Sequence, residues 1–82
     1  MTATVRLGSD LRRYTDGFAE LEATGSTVSS LIADLTTRYP ELGERLAAGT
    51  AVVINGVLIA HPEYEPVPDG AEVYFVPQPS GG

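Results

Sequence analysis

Asn55-Gly56 stands between two short aliphatic runs in the stretch "AVVINGVLIA". A two-residue hairpin loop with the native strand twist needs positive φ at both central positions, and Asn-Gly is the pair best suited to supply it. Two antiparallel strands are therefore predicted, Ala51–Asn55 and Val57–Ala60. No other stretch of the chain fixes local geometry as tightly.

The remaining elements follow from changes of hydrophobic period. Thr2–Leu7 alternates, with Ala3, Val5 and Leu7 on one face and Thr4 and Arg6 on the other, as a half-buried strand requires. Asp16-Gly17 is a turn signal before Phe18–Ala23, where Ala19, Leu21 and Ala23 are expected to face inward and Glu20 and Glu22 outward. These two strands should form a hairpin, with "LRRYT" as its loop. After Gly25 the period becomes helical: Val28, Leu31, Ile32, Leu35 and Tyr39 line one side, Thr27 is the expected N-cap, and Pro40 should stop the helix at Tyr39. "ELGERLAAG" is expected to add one further helical turn through Leu42 and Leu46. Pro66, Pro68 and Asp69-Gly70 make a turn before a last strand, Glu72–Val76, with Val73 and Phe75 on one face and Tyr74 and Val76 on the other. The order strand, strand, helix, strand, strand, strand predicts an α+β domain: a mixed sheet with one main helix on its inner face, of the β-grasp type.

At 82 residues the chain has room for a single thin core, because a domain near this size buries only about 60% of the surface its unfolded chain exposes. The absence of cysteine excludes disulfides, thiolate metal sites and a cysteine nucleophile. No run approaches the length of a membrane span, and "MTATVRLGSD" lacks the layout of a signal peptide, so a cytoplasmic protein away from membranes is expected. Eleven acidic residues against five arginines and no lysine give a formal charge of −6, which disfavours nucleic acid and either favours a basic protein partner or serves only to keep a small domain soluble.

Conventional catalysis finds little in these residues. His61 is the single histidine, beside Pro62, with no companion for a metal site, and reads as a solvated loop residue. A nucleophilic set built from Ser29 or Ser30, His61 and Asp69 lacks any nucleophile-elbow motif. The glycines do not form a phosphate loop, and Glu63 and Glu65 read as an exposed acidic loop rather than a catalytic pair. No bound cofactor and no metal are expected, and the chain should not be an enzyme.

The sequence closes on "PQPSGG". Glycine has no Cβ, so Gly81 and Gly82 can enter a slot too narrow for any side chain and put a free carboxylate at the tip of a thin probe. Pro77 and Pro79 keep that probe extended and lower the entropy lost when it is ordered. The five residues from Gln78 reach roughly 17 Å when extended. The expected organisation is a globular domain over 1–77 and a flexible tail over 78–82, with the tail entering a partner's active site while the body docks outside.

Taken together, the helix ending "TTRYPEL", the hairpin "VVINGVLI", the turn "VPDGAEVYFVP" and the terminal "SGG" resemble the MoaD/ThiS family of ubiquitin-like sulfur carriers over nearly the whole chain. The resemblance implies a β-grasp fold and a protein-borne co-substrate. In such carriers an adenylating enzyme related to the ubiquitin-activating ones joins the terminal carboxylate to AMP, consuming ATP, and a sulfur donor converts it to a thiocarboxylate. Gly82 would carry the sulfur, Ser80 and Gly81 would be read by the partner's channel, and a downstream sulfur-accepting synthase would take the product. "LRRYTDG" and "PELGERL" resemble actinobacterial carriers of the cysteine-biosynthesis type and relatives serving secondary metabolism, whereas "YFVPQPSGG" resembles the molybdopterin synthase small subunit. A dedicated sulfur-incorporation pathway is the expectation, with molybdopterin synthesis, protein modification through the same terminus, or a plain interaction module as alternatives.

Strand parity adds a docking surface. If Val52, Ile54, Val73 and Phe75 face the helix, then Val53, Tyr74 and Val76 form an apolar patch on the opposite sheet face leading toward the tail. That patch is expected to bind the activating enzyme, with Asp69 and Glu72 steering it toward a basic surface, the alternative being ordinary exposure of scattered apolar residues.

Overall fold

The computed structural model describes residues 1–47, 50–59 and 64–77. Five strands and three helices run in the order β1 (Thr2–Leu7), α1 (Ser9–Arg12), β2 (Glu20–Thr24), α2 (Val28–Arg38), α3 (Pro40–Ala47), β3 (Thr50–Ile54), β4 (Val57–Ile59) and β5 (Glu72–Pro77). The strands form one sheet ordered β2-β1-β5-β3-β4. β1 and β5 pair in parallel at its centre and every other pairing is antiparallel, so the sheet is mixed.

The inner face carries the alternate positions expected of it. Ala3, Val5, Leu7, Ala23, Val52, Ile54, Val73 and Phe75 are buried, and Val28, Leu31, Leu35, Leu42 and Leu46 from α2 and α3 cover them. Phe75 and Val73 sit in the central strand with no exposed surface, so β5 is fixed from both sides and from above.

The helix α2 starts where the sequence places it. Thr27 accepts a hydrogen bond from the Ser30 amide while the Ser30 hydroxyl accepts from the Thr27 amide, a reciprocal cap that pairs two otherwise orphaned donors. Tyr39 closes the helix ahead of Pro40, which opens α3 at a position where its missing N–H costs nothing. The extra turn expected from "ELGERLAAG" is a full eight-residue helix that buries Leu42, Gly43 and Leu46. At the hairpin, Asn55 and Gly56 have φ of 48° and 87°, the positive pair that a two-residue turn demands.

Two expectations need correction. "LRRYT" is not simply a loop: Ser9–Arg12 makes one helical turn that lowers Leu11 onto the core. β2 begins at Glu20 rather than Phe18, because the buried Thr15 hydroxyl bonds the carbonyls of Arg12 and Phe18 and folds that segment over itself. Phe18 and Ala19 are consequently exposed, although the Ala19 carbonyl still accepts the Leu7 amide.

The free edge of β2 is closed by side chains from α2. Arg38 Nη2 donates to the Glu22 carbonyl, Asp34 Oδ2 accepts from the Thr24 amide, and the two side chains pair with each other at 2.9 Å. An edge donor and an edge acceptor are thereby satisfied without a further strand.

Candidate functional site

β5 is the strand that leads toward the tail. Its register with β1 pairs Leu7 with Phe75, and its register with β3 pairs Thr50 with Pro77 and Ala51 with Val76. The strand is thus held on both sides close to its last described residue. Ser80, Gly81 and Gly82 lie outside the described residues, as do His61 and Glu63.

On the outer face the register lines up one row across the whole sheet: Glu20, Arg6, Tyr74, Val53 and Leu58. Val53 and Tyr74 are direct cross-strand partners, and Val76 lies two residues further along β5 on the same face. Tyr74 is 40% exposed, while Val53 and Val76 are half-buried. The three residues expected to form a patch therefore share a face and are contiguous. Tyr74 leans along the end of β1, its hydroxyl 3.9 Å from where a Cβ on Gly8 would stand.

Leu58 extends this patch, and residue parity along single strands did not find it. It is 66% exposed and sits opposite Val53 on β4. The signal was present in the hairpin, since a two-residue Asn-Gly turn forces Ile54 opposite Val57 and hence Val53 opposite Leu58. The other half of the row is charged: Arg6 lies 3.5 Å from a Glu20 oxygen and 3.6 Å from a Glu72 oxygen. Both pairs are solvent-exposed and therefore contribute little to stability. They mark the boundary at which the apolar half ends.

Asp69 and Glu72 stand at the start of β5, the end opposite Pro77, and Asp69 Oδ1 accepts from the Thr2 amide. They are placed to anchor the first strand, through Thr2 and Arg6, at the end of β5 away from Pro77. The hydroxyl of Ser30 is engaged with Thr27 in the helix cap, which leaves it a structural role. Among the described residues no group of acidic or histidine side chains is arranged to hold a metal ion, and no helix is long and apolar enough to cross a membrane.

A five-stranded mixed sheet with helices packed on one face, a partly apolar opposite face and a central last strand define a ubiquitin-like β-grasp domain. The ThiS family model matches residues 5–82, and the chain belongs to that family of small sulfur-carrier and ubiquitin-like modifier proteins, which are not themselves catalysts. Solved structures agree. The BexX/CysO complex of Amycolatopsis orientalis is similar at 27% identity and a TM-score of 0.84, over 98% of this chain and 99% of the matched one. Small archaeal modifier protein 1 of Methanosarcina acetivorans is similar at 26% identity and a TM-score of 0.81, over 99% and 96% of the two chains. CysO of Mycobacterium tuberculosis, at 24% identity and a TM-score of 0.82 over 94% and 99%, shares the fold. No curated protein sequence matches the chain.

Proposed function

We propose that the chain carries sulfur on Gly82 for a dedicated biosynthetic pathway, with residues 1–77 as the docking body and 78–82 as the tail that enters the partner enzymes. The observation that carries this reading is the apolar strip of Tyr74, Val53, Leu58 and Val76 beside the strand that leads to Gly81-Gly82. A partner seated on that strip meets the last described residues of β5, from which residues 78–82 continue.

The chemistry balances. A Gly82 carboxylate oxygen attacks the α-phosphorus of ATP on the activating enzyme, a P–O bond forms and pyrophosphate leaves. A hydrosulfide-equivalent donor then attacks the acyl carbon, the C–O bond to AMP breaks, and a thiocarboxylate and AMP remain. The first step is needed because a carboxylate is a poor electrophile without a leaving group. The product is a soft nucleophile for a sulfur-accepting synthase, which is how a chain with no cysteine can transport sulfur. The likeness to CysO of Amycolatopsis orientalis supports the branch that "LRRYTDG" and "PELGERL" resemble.

A second reading, conjugation of Gly82 to lysines of target proteins, is favoured by the likeness to the archaeal modifier. Both use adenylation, and they part at the next step. Deleting Gly81-Gly82 should abolish ATP–pyrophosphate exchange by the activating enzyme while leaving the melting temperature unchanged. A parent chain that supports no exchange with any activating enzyme removes both readings and leaves an interaction module.

A further inference from the structure

Three of the chain's five arginines lie at one end of the fold. Arg12 and Arg13 follow β1, whose Leu7 lies in register with Phe75, and Arg45 stands in α3, whose Leu46 carbonyl accepts from the Thr50 hydroxyl next to the Thr50–Pro77 pair. All three arginines therefore flank the end of β5, on the helix side of the sheet, across from Tyr74 and Val53.

They are also held in the same manner. Arg12 Nε donates to the Leu7 carbonyl at 3.3 Å, Arg13 Nε to the Asp10 carbonyl at 3.4 Å, and Arg45 Nε to the Tyr14 hydroxyl at 2.9 Å. The Tyr14 ring lies 5.6 Å from the Arg13 guanidinium carbon and 5.7 Å from that of Arg45, tying two of the three together. Each guanidinium is thus anchored through Nε, and among the described residues its terminal Nη groups make no hydrogen bond and lie within ion-pair distance of no carboxylate. Arg38 is the contrast, spending Nη2 on Asp34 and on the Glu22 carbonyl.

Arg45 makes the point most directly. Glu41 stands four residues before it on α3, the favourable order for a helical ion pair, and Glu44 lines the same shallow cleft. Arg45 turns to Tyr14 instead. Its side chain is fixed with the planar fork that matches a carboxylate left open.

We propose that Arg12, Arg13 and Arg45 form a carboxylate-binding collar at the root of the tail, and that it grips an acidic rim at the mouth of the enzyme that activates Gly82. The inference rests on the carrier reading above. The two sides of the tail root then have different tasks: the apolar strip holds the body, and the collar adds charge-assisted bonds to the rim. Polyphosphate ligands such as nucleic acid fit poorly, because the chain as a whole carries a formal charge of −6. An acidic rim would instead be gripped by direct bonds to the open guanidinium forks, with Asp10, Glu41 and Glu44 the carboxylates nearest to them in the chain.

The test uses the full chain with Arg12→Gln, Arg13→Gln and Arg45→Gln combined, in ATP–pyrophosphate exchange with an enzyme that activates the parent chain, across a range of salt. Arg38→Gln is the control for charge. The collar predicts that KM rises roughly tenfold or more in the triple variant, that kcat stays within about twofold, and that the salt dependence of kcat/KM flattens, with Arg38→Gln behaving as the parent. Unchanged KM and salt dependence, or an effect reproduced by Arg38→Gln, overturns the collar and leaves the carrier reading intact. Faster activation of the triple variant also overturns it, by showing that these arginines hold the chain's own terminal carboxylate. A parent chain that no candidate enzyme adenylates overturns the carrier reading and the collar with it.

Discussion

Gly43→Ala sets two ordinary effects against each other, and the structure decides which wins. Alanine in a helix interior is favoured over glycine by about 1 kcal/mol, so an exposed site in α3 would gain from the change. Gly43 is buried against α2, however, and a Cβ there would stand 2.6 Å from Thr36 Cβ and 2.8 Å from Thr36 Cα, with the Thr36 hydroxyl closer still. Carbon atoms in contact sit about 3.5–4.0 Å apart, so α2 and α3 must separate by roughly 1 Å. Rotating Thr36 does not relieve a clash with its own Cα, and it would cost the bond from Thr36 Oγ1 to the Ile32 carbonyl. Overpacking of this kind costs about 1–3 kcal/mol, and the upper part of that range applies because backbone has to move. The net loss should be about 1–2 kcal/mol, a fall of about 5–15 °C in Tm for a domain this small. Thermal and urea melts followed by circular dichroism measure it directly. A Tm equal to or above the parent's would show that helix propensity prevails and that α2 and α3 do not pack through Gly43.

Other outcomes follow from the same geometry. Val53→Asp and Leu58→Asp place a charge in the middle of the apolar strip while leaving the inner face untouched. Each should cost about 1 kcal/mol of stability or less and raise KM for activation by roughly tenfold or more; unaltered activation kinetics in both would remove the strip as a docking surface. Thr27→Ala breaks the reciprocal cap of α2 and should lower stability by about 1 kcal/mol, read in a urea melt, whereas Ser29→Ala, exposed one residue into the helix, should change it little.

How much of this was legible beforehand depended on the length of each repeating signal. The helix α2 spans three turns of consistent spacing and carries its own start and stop residues, so Thr27 and Pro40 bounded it closely. The Asn-Gly hairpin was equally plain, because few residue pairs tolerate its backbone angles. By contrast α1 is a single turn, too short for any period to show, and its existence depends on Leu11 finding the core. The start of β2 was displaced for a similar reason: the Thr15 hydroxyl folds the segment before it, a tertiary effect that alternation cannot reveal.

The apolar outer strip followed from parity along β3 and β5, but its full extent needed the pairing of β4 with β3, which brings in Leu58. The charge pattern was the least visible. Composition gives an acidic chain, and only the three-dimensional register separates Asp69 and Glu72, at the base of β5, from the arginines flanking its far end. A sum of charges carries no information about which end meets the partner.

A thiocarboxylate on Gly82 would be recorded in the intact mass of the chain. After incubation with an activating enzyme, ATP and a sulfur source, the expected result is a gain equal to the exchange of one oxygen for one sulfur, absent from a chain lacking Gly82. An unchanged mass with an enzyme that does adenylate the chain, accompanied by adducts on lysines of other proteins, would contradict it and make the chain a modifier.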